Sequence, residues 1–149
     1  MRRLRSVSLL TAAAGVVAAT SACAAGPAAS WDEPAHYTYE ATITVFGPAH
    51  GEWRVTVRDH EVVEVEGLDE WSEIDEFTTI ESFDTLADYV SRYDEARAEG
   101  AHSVTLTQAK DGTPTRYSVD WDENTVDDEY DARFRAVTPT ESTAGAVTD

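Results

Sequence analysis

Apolar and polar residues alternate strictly over three stretches in the first half of the chain. Tyr37, Tyr39, Ala41, Ile43 and Val45 alternate with Thr38, Glu40, Thr42 and Thr44. Trp53, Val55 and Val57 alternate with Glu52, Arg54, Thr56 and Arg58, and Val63 and Val65 carry the pattern on toward Gly67. A period of two sends successive side chains to opposite faces, so each stretch predicts a strand with one apolar and one wet face. Gly47-Pro48-Ala49-His50-Gly51 punctuates the first pair of strands. Asp59-His60 fits a two-residue hairpin turn, although the favoured dipeptide has Gly second.

The period then becomes helical. Ile80, Phe83, Leu86, Ala87, Val90 and Tyr93 form one stripe, with Glu81, Asp84, Asp88, Arg92 and Glu95 outside it. Thr79 or Ser82 can cap the start, and Gly100 suits the position just past the end. Alternation resumes at Val104 and Leu106, turns at Lys110–Pro114, continues through Tyr117, Val119 and Trp121, and ends with Tyr130, Ala132, Phe134 and Ala136. The expected architecture is α+β: an antiparallel sheet in β-β-β-α-β-β-β order, with one helix packed on its single apolar face.

The ends of the chain read differently. Arg2, Arg3 and Arg5 precede an apolar run from Val7 to Ala19, and Thr20-Ser21-Ala22 leads into Cys23, the single cysteine. The run is shorter than the roughly 20 residues that span a bilayer. Small residues ahead of a cysteine match a bacterial lipoprotein signal, with Thr20 where an aliphatic residue is usual; cleavage after Ala22 or Ala25 as an ordinary secretory signal is the alternative. Residues 1–22 are thus expected to be a signal peptide, with Cys23 lipidated on the outer face of the cell membrane or the protein freely secreted. Residues 23–35 read as a flexible tether, 36–137 as the domain and 138–149 as a disordered Thr/Ser/Ala tail.

Charge narrows the partners. Of 11 basic residues three lie in the leader, so 8 remain against 29 acidic ones, a net of −21 from Cys23 onward. Such a charge repels nucleic acid and anionic lipid and favours cationic peptides, metal ions or basic surfaces. With no second cysteine, an intramolecular disulfide cannot form.

The order of elements, the Trp53–Asp59 strand and turn, the Asp111-Gly112-Thr113-Pro114 turn, and Val119-Asp120-Trp121-Asp122 running into Val126-Asp127-Asp128-Glu129 resemble the DUF6174 family. Members are small bacterial lipoproteins of unknown function, frequent in actinobacteria. The resemblance covers roughly Tyr37 to Val137. Many members carry a Cys-x-Cys pair in the first hairpin, which Ile43–Arg54 lacks, so no role for that pair carries over. The resemblance implies a fold and a location, and no catalytic residue.

Two segments carry candidate chemistry. Asp120, Asp122 and Asn124, followed by Asp127 and Asp128, place oxygen ligands at the first spacings of a calcium loop. The match then lapses: Thr125 stands where Gly makes the sharp turn, and Asp131 where a bidentate Glu closes the site. An acidic hairpin connection accounts for the same residues. The other segment, Asp69–Phe77, sets Trp71, Ile74 and Phe77 among acids, which suits docking of a basic envelope protein or peptide, or folding back over the core edge. His36, His50, His60 and His102 are scattered without zinc spacing, and no nucleophile motif is present. The expectation is a lipid-anchored, non-catalytic interaction module without a cofactor, or, as the alternative, a calcium-binding structural domain.

Overall fold

The computed structural model describes residues 30–74, 76–125 and 127–141; the leader, Cys23 and the tail beyond Glu141 lie outside the described residues. Strands β1 (His36–Val45), β2 (Gly51–Arg58) and β3 (Glu61–Gly67) form one antiparallel meander. After a 3₁₀ turn (Ile80–Ser82) and helix α1 (Leu86–Glu99), strands β4 (Ser103–Gln108), β5 (Pro114–Asp120) and β6 (Tyr130–Pro139) form a second. The first and last strands join the halves antiparallel, giving one six-stranded sheet in the order β3-β2-β1-β6-β5-β4. The class is α+β.

One face of the sheet makes the core. Tyr37, Tyr39, Ala41 and Ile43 from β1 lie beside Trp53, Val55 and Val57 from β2, and beside Ala132 and Phe134 from β6, all buried. Leu86, Tyr89, Val90 and Ala96 of α1 cover this face. Tyr89 packs 4.7 Å from Phe134 and 5.5 Å from Tyr117, centroid to centroid. Burying each large apolar side chain contributes about 1.5–3 kcal/mol, and the T-shaped Trp53–Phe83 pair at 4.8 Å adds aromatic geometry to that. The opposite face is a charged lattice. Arg54 and Arg135 both bind Glu40, at 3.1 and 3.0 Å, and Arg116 and Arg133 both reach Asp131.

Three details depart from the pattern read along the chain. The helix starts at Leu86, not near Ile80. Thr85 and Asp88 form a capping box there, whereas the chain returns to extended geometry at Phe83 and leaves Ile80 exposed. Tyr89, outside the expected stripe, therefore becomes the central core residue of the helix. In β3 the partners of Thr56 and Val57 are Glu64 and Val62, so Val63 is an extra residue; this bulge turns Val62 and Val65 inward and leaves Val63 exposed. A second bulge sets Ala136 and Val137 of β6 against Tyr39 alone, and Ala136 takes φ 53°. Asp59 and His60 do make the two-residue turn, both with positive φ, as type I′ requires.

The ends of the domain also reach beyond 36–137. Trp31, inside the segment read as tether, packs edge-on to Tyr37 at 5.6 Å. The Glu33 side chain is 8% exposed and meets the helix N-terminus. At the other end, β6 runs to Pro139, and Thr140 donates its backbone N–H to the His36 carbonyl. Residues 30–35 and 138–140 belong to the folded unit.

Candidate functional site

The residues just after β3 are tied back to the sheet, with the Asp69 carboxylate at the centre of the bonds. Asp69 Oδ2 accepts the Glu52 N–H at 3.1 Å, and Oδ1 accepts the Trp71 N–H at 3.1 Å and the Ser72 hydroxyl. Those bonds, the Ser72 hydroxyl first, hold the Asp69 carboxyl below the usual carboxylate range. Ser72 Oγ also lies 2.7 Å from the Glu52 carbonyl. The segment lies so close to the sheet that a Cβ on Gly67 would sit 2.1 Å from the Ser72 carbonyl oxygen, and one on Gly51 would sit 2.4 Å from Ser72 Oγ. Both glycines are required by that approach, and Gly51 also by its φ of 125°.

This framework presents aromatics to solvent. Trp71 and Phe77 are each 70% exposed and Ile74 is 52% exposed. Trp71 and Phe77 flank a groove of about 530 Å³ whose other wall is Pro48, Ala49 and His50 and whose rim carries Glu70 and Glu73. Trp53 lines it from the sheet, its indole N–H fixed on the Ala49 carbonyl at 2.9 Å. Two of the three residues expected to dock a partner thus line one acidic, aromatic groove; Ile74 projects from the same segment without lining it. All three leave more than half of their surface in solvent.

The acidic loop after β5 is arranged differently. Asp122 Oδ1 accepts both the backbone and the side-chain N–H of Asn124 at 3.0 Å, and these bonds hold its carboxyl below the usual range. Asp128 Oδ2 accepts the Asp122 N–H at 2.9 Å. Asp122, Asn124 and Asp128 therefore come together as a hydrogen-bonded turn, Asp127 is exposed, and Asp120 ends β5. Asp120 Oδ1 and Asp128 Oδ1 are shielded from solvent without a hydrogen-bond partner. Among the described residues no three His, Cys, Asp or Glu side chains are grouped to hold a metal. Among them, too, no helix is long and apolar enough to cross a membrane.

Glu33 was not legible as a structural residue. Its Oε1 accepts the Tyr37 hydroxyl at 2.5 Å and the Ala87 N–H at 3.2 Å, and its Oε2 lies 3.0 Å from His60 Nδ1. Tyr37 Oη in turn accepts the Leu86 N–H at 2.9 Å. Burial, and then the bond to Glu33, push the Tyr37 hydroxyl far above its ordinary range, so it stays a donor. The signal available was Trp31, an aromatic residue inside an Ala/Gly/Pro/Ser stretch.

A family model described as a family of unknown function (DUF6174) matches residues 28–139, a span that takes in Trp31 and Glu33 ahead of β1. No curated protein and no solved structure matches the chain.

Proposed function

The chain belongs to the DUF6174 family, and from that premise we propose that it is a non-catalytic interaction module of the bacterial cell envelope. Cys23 carries the lipid that holds it on the outer face of the membrane, and the Trp71–Phe77 groove docks a basic partner. The observation that supports this reading is the exposure of Trp71, carried on residues 69–72 that Asp69, Gly51 and Gly67 seat against the sheet, with Phe77 exposed at the same groove. Exposed aromatics on an ordered support are costly in water and serve as anchors in interfaces. Each residue is 70% exposed, and covering its side chain would contribute about 3 kcal/mol before the costs of association. The acidic rim selects a cationic partner and speeds its approach.

A photo-crosslinking residue at position 71 in intact cells tests the docking. A discrete adduct is expected there and not with the probe at Glu64, on the wet side of β3. Equal labelling at both positions, or none at either, removes the proposal. Mass spectrometry of the membrane fraction tests the anchor: lipid mass on Cys23 is expected, with loss of membrane association in Cys23→Ser. A calcium-binding structural role for the Asp120–Asp131 loop is the second reading, supported by the two shielded, unpartnered oxygens of Asp120 and Asp128. It requires the melting temperature to rise with millimolar Ca²⁺ and that rise to vanish in Asp128→Asn.

A further inference from the structure

An open sheet edge is a row of backbone donors and acceptors with which another strand can pair, and sequences blunt such edges with charge, proline or bulges. Among the described residues the two edges are β3 and β4. β3 is blunted twice: Glu61, Glu64 and Glu66 are exposed along it, and Val63 bulges out of register. β4 carries neither device. Its sequence, Ser103-Val104-Thr105-Leu106-Thr107-Gln108, has no charge and no proline. The register shift near its end inserts Thr115 in β5, so β4 itself stays regular. Val104 and Leu106 are only partly buried where they pack on the core, and Ser103, Thr105 and Thr107 are exposed on the other side.

We propose that β4 pairs antiparallel with β4 of a second copy of this chain, about a two-fold axis at Thr105, so that the sheet continues from one copy into the next. Two-fold pairing uses the same patch on both copies, so the strand must complement itself. With Thr105 opposite its own copy, Val104 faces Leu106 and Ser103 faces Thr107: apolar meets apolar on one side, hydroxyl meets hydroxyl on the other. Centred on Val104 or on Leu106 instead, the strand would set Leu106 against His102 or Val104 against Gln108. Charge selects the same edge. Self-pairing of β3 would crowd its three glutamates against three more, whereas β4 brings none. Antiparallel pairing also lays the end of one β4 beside the start of the other. Lys110, the single lysine, lies just past that end and has no ion pair among the described residues, while Glu123 stands 3.9 Å from His102 at the start. Opposite charges thus meet at both ends of the joined strands. One strand pair is a small interface, and each copy is strongly acidic, so the dimer is weak and tightens as salt screens the repulsion.

Sedimentation equilibrium of the mature chain carrying Cys23→Ser, which excludes both a lipid and a Cys23 disulfide, tests this from micromolar to millimolar protein. A monomer–dimer equilibrium that strengthens with added salt is expected. Thr105→Lys places like charges face to face on the axis and should weaken the dimer about tenfold or more, with the melting temperature unchanged because Thr105 is exposed. In the same background, Thr105→Cys should give a disulfide-linked dimer on mild oxidation, and Glu64→Cys on β3 should not. A strict monomer at millimolar protein in high salt, a dimer indifferent to Thr105→Lys, or equal crosslinking from position 64 overturns the proposal.

Discussion

Replacing Glu33 by Ala removes the acceptor on which the N-terminus of α1 is seated. Three first-turn N–H groups have partners in the wild type: Leu86 on Tyr37 Oη, Ala87 on Glu33 Oε1 and Asp88 on Thr85 Oγ1. The substitution orphans the Ala87 N–H and leaves the buried Tyr37 hydroxyl without its acceptor. Loss of a capping acceptor costs about 0.5–2 kcal/mol, and an unsatisfied buried donor about 1–3 kcal/mol. The helix dipole loses its negative partner as well, for a further 0.3–1 kcal/mol or so. The effects overlap, so a total of about 3 kcal/mol is expected. For a domain near 110 residues that lowers the melting temperature by roughly 10–15 °C. Circular dichroism melts of wild type, Glu33→Ala, Tyr37→Phe and the double variant check this. Because Glu33 and Tyr37 share one bond, Tyr37→Phe should cost less in the Glu33→Ala background than alone, by about 1 kcal/mol. A Glu33→Ala melt within a degree or two of wild type, or strictly additive single effects, would refute the reasoning and return residues 30–35 to a free tether.

Three further outcomes are expected. Ala136→Gly, at the bulge where φ is 53°, should raise the urea midpoint by the equivalent of about 0.5–1 kcal/mol, because only Gly takes that conformation without strain. Gly67→Ala drives a methyl into the Ser72 carbonyl oxygen, so the 69–77 segment should leave the sheet; faster proteolysis there with the core melt largely retained is the expected readout. Glu40 is held below its ordinary pKa of 4.5 by its bonds to Arg54 and then Arg135. Its folded pKa is depressed, so its contribution is present above pH 4.5 and fades as pH falls through the lower folded value; Glu40→Gln should flatten the acid limb of a stability-versus-pH curve.

The α+β class and the antiparallel character of the sheet were legible because β1, β2 and β5 alternate without interruption. Sheet faces set by burial leave little choice of register. What the periodicity hid were the places where one residue is inserted. Val63 and Ala136 each continue an apolar alternation in the sequence, yet bulges at those points turn their neighbours the other way. The helix start was misplaced because Ile80 and Phe83 share helical spacing with Leu86, while the Thr85–Asp88 capping box, a local hydrogen-bond pattern, decides the boundary. The Trp71 and Phe77 pairing across a groove was half visible as aromatics among acids. The close seat of Ser72 on the sheet was not, since it depends on Gly51 and Gly67 meeting it from separate strands.

Because β1 and β6 are neighbours and antiparallel, His36 and Pro139 lie at the same end of the sheet, where Thr140 bonds His36. The Trp71 groove lies at the other end. Gly47–His50, in the loop that joins β1 to β2, line that groove, and Trp53 near the start of β2 lines it from the sheet. Ten residues of β1 at about 3.3 Å each put the groove roughly 30 Å from the His36 end of the sheet. With a lipid on Cys23, as proposed, the sheet would serve as a spacer as well as a core, setting the groove a full strand's length from the end at which the chain enters the domain.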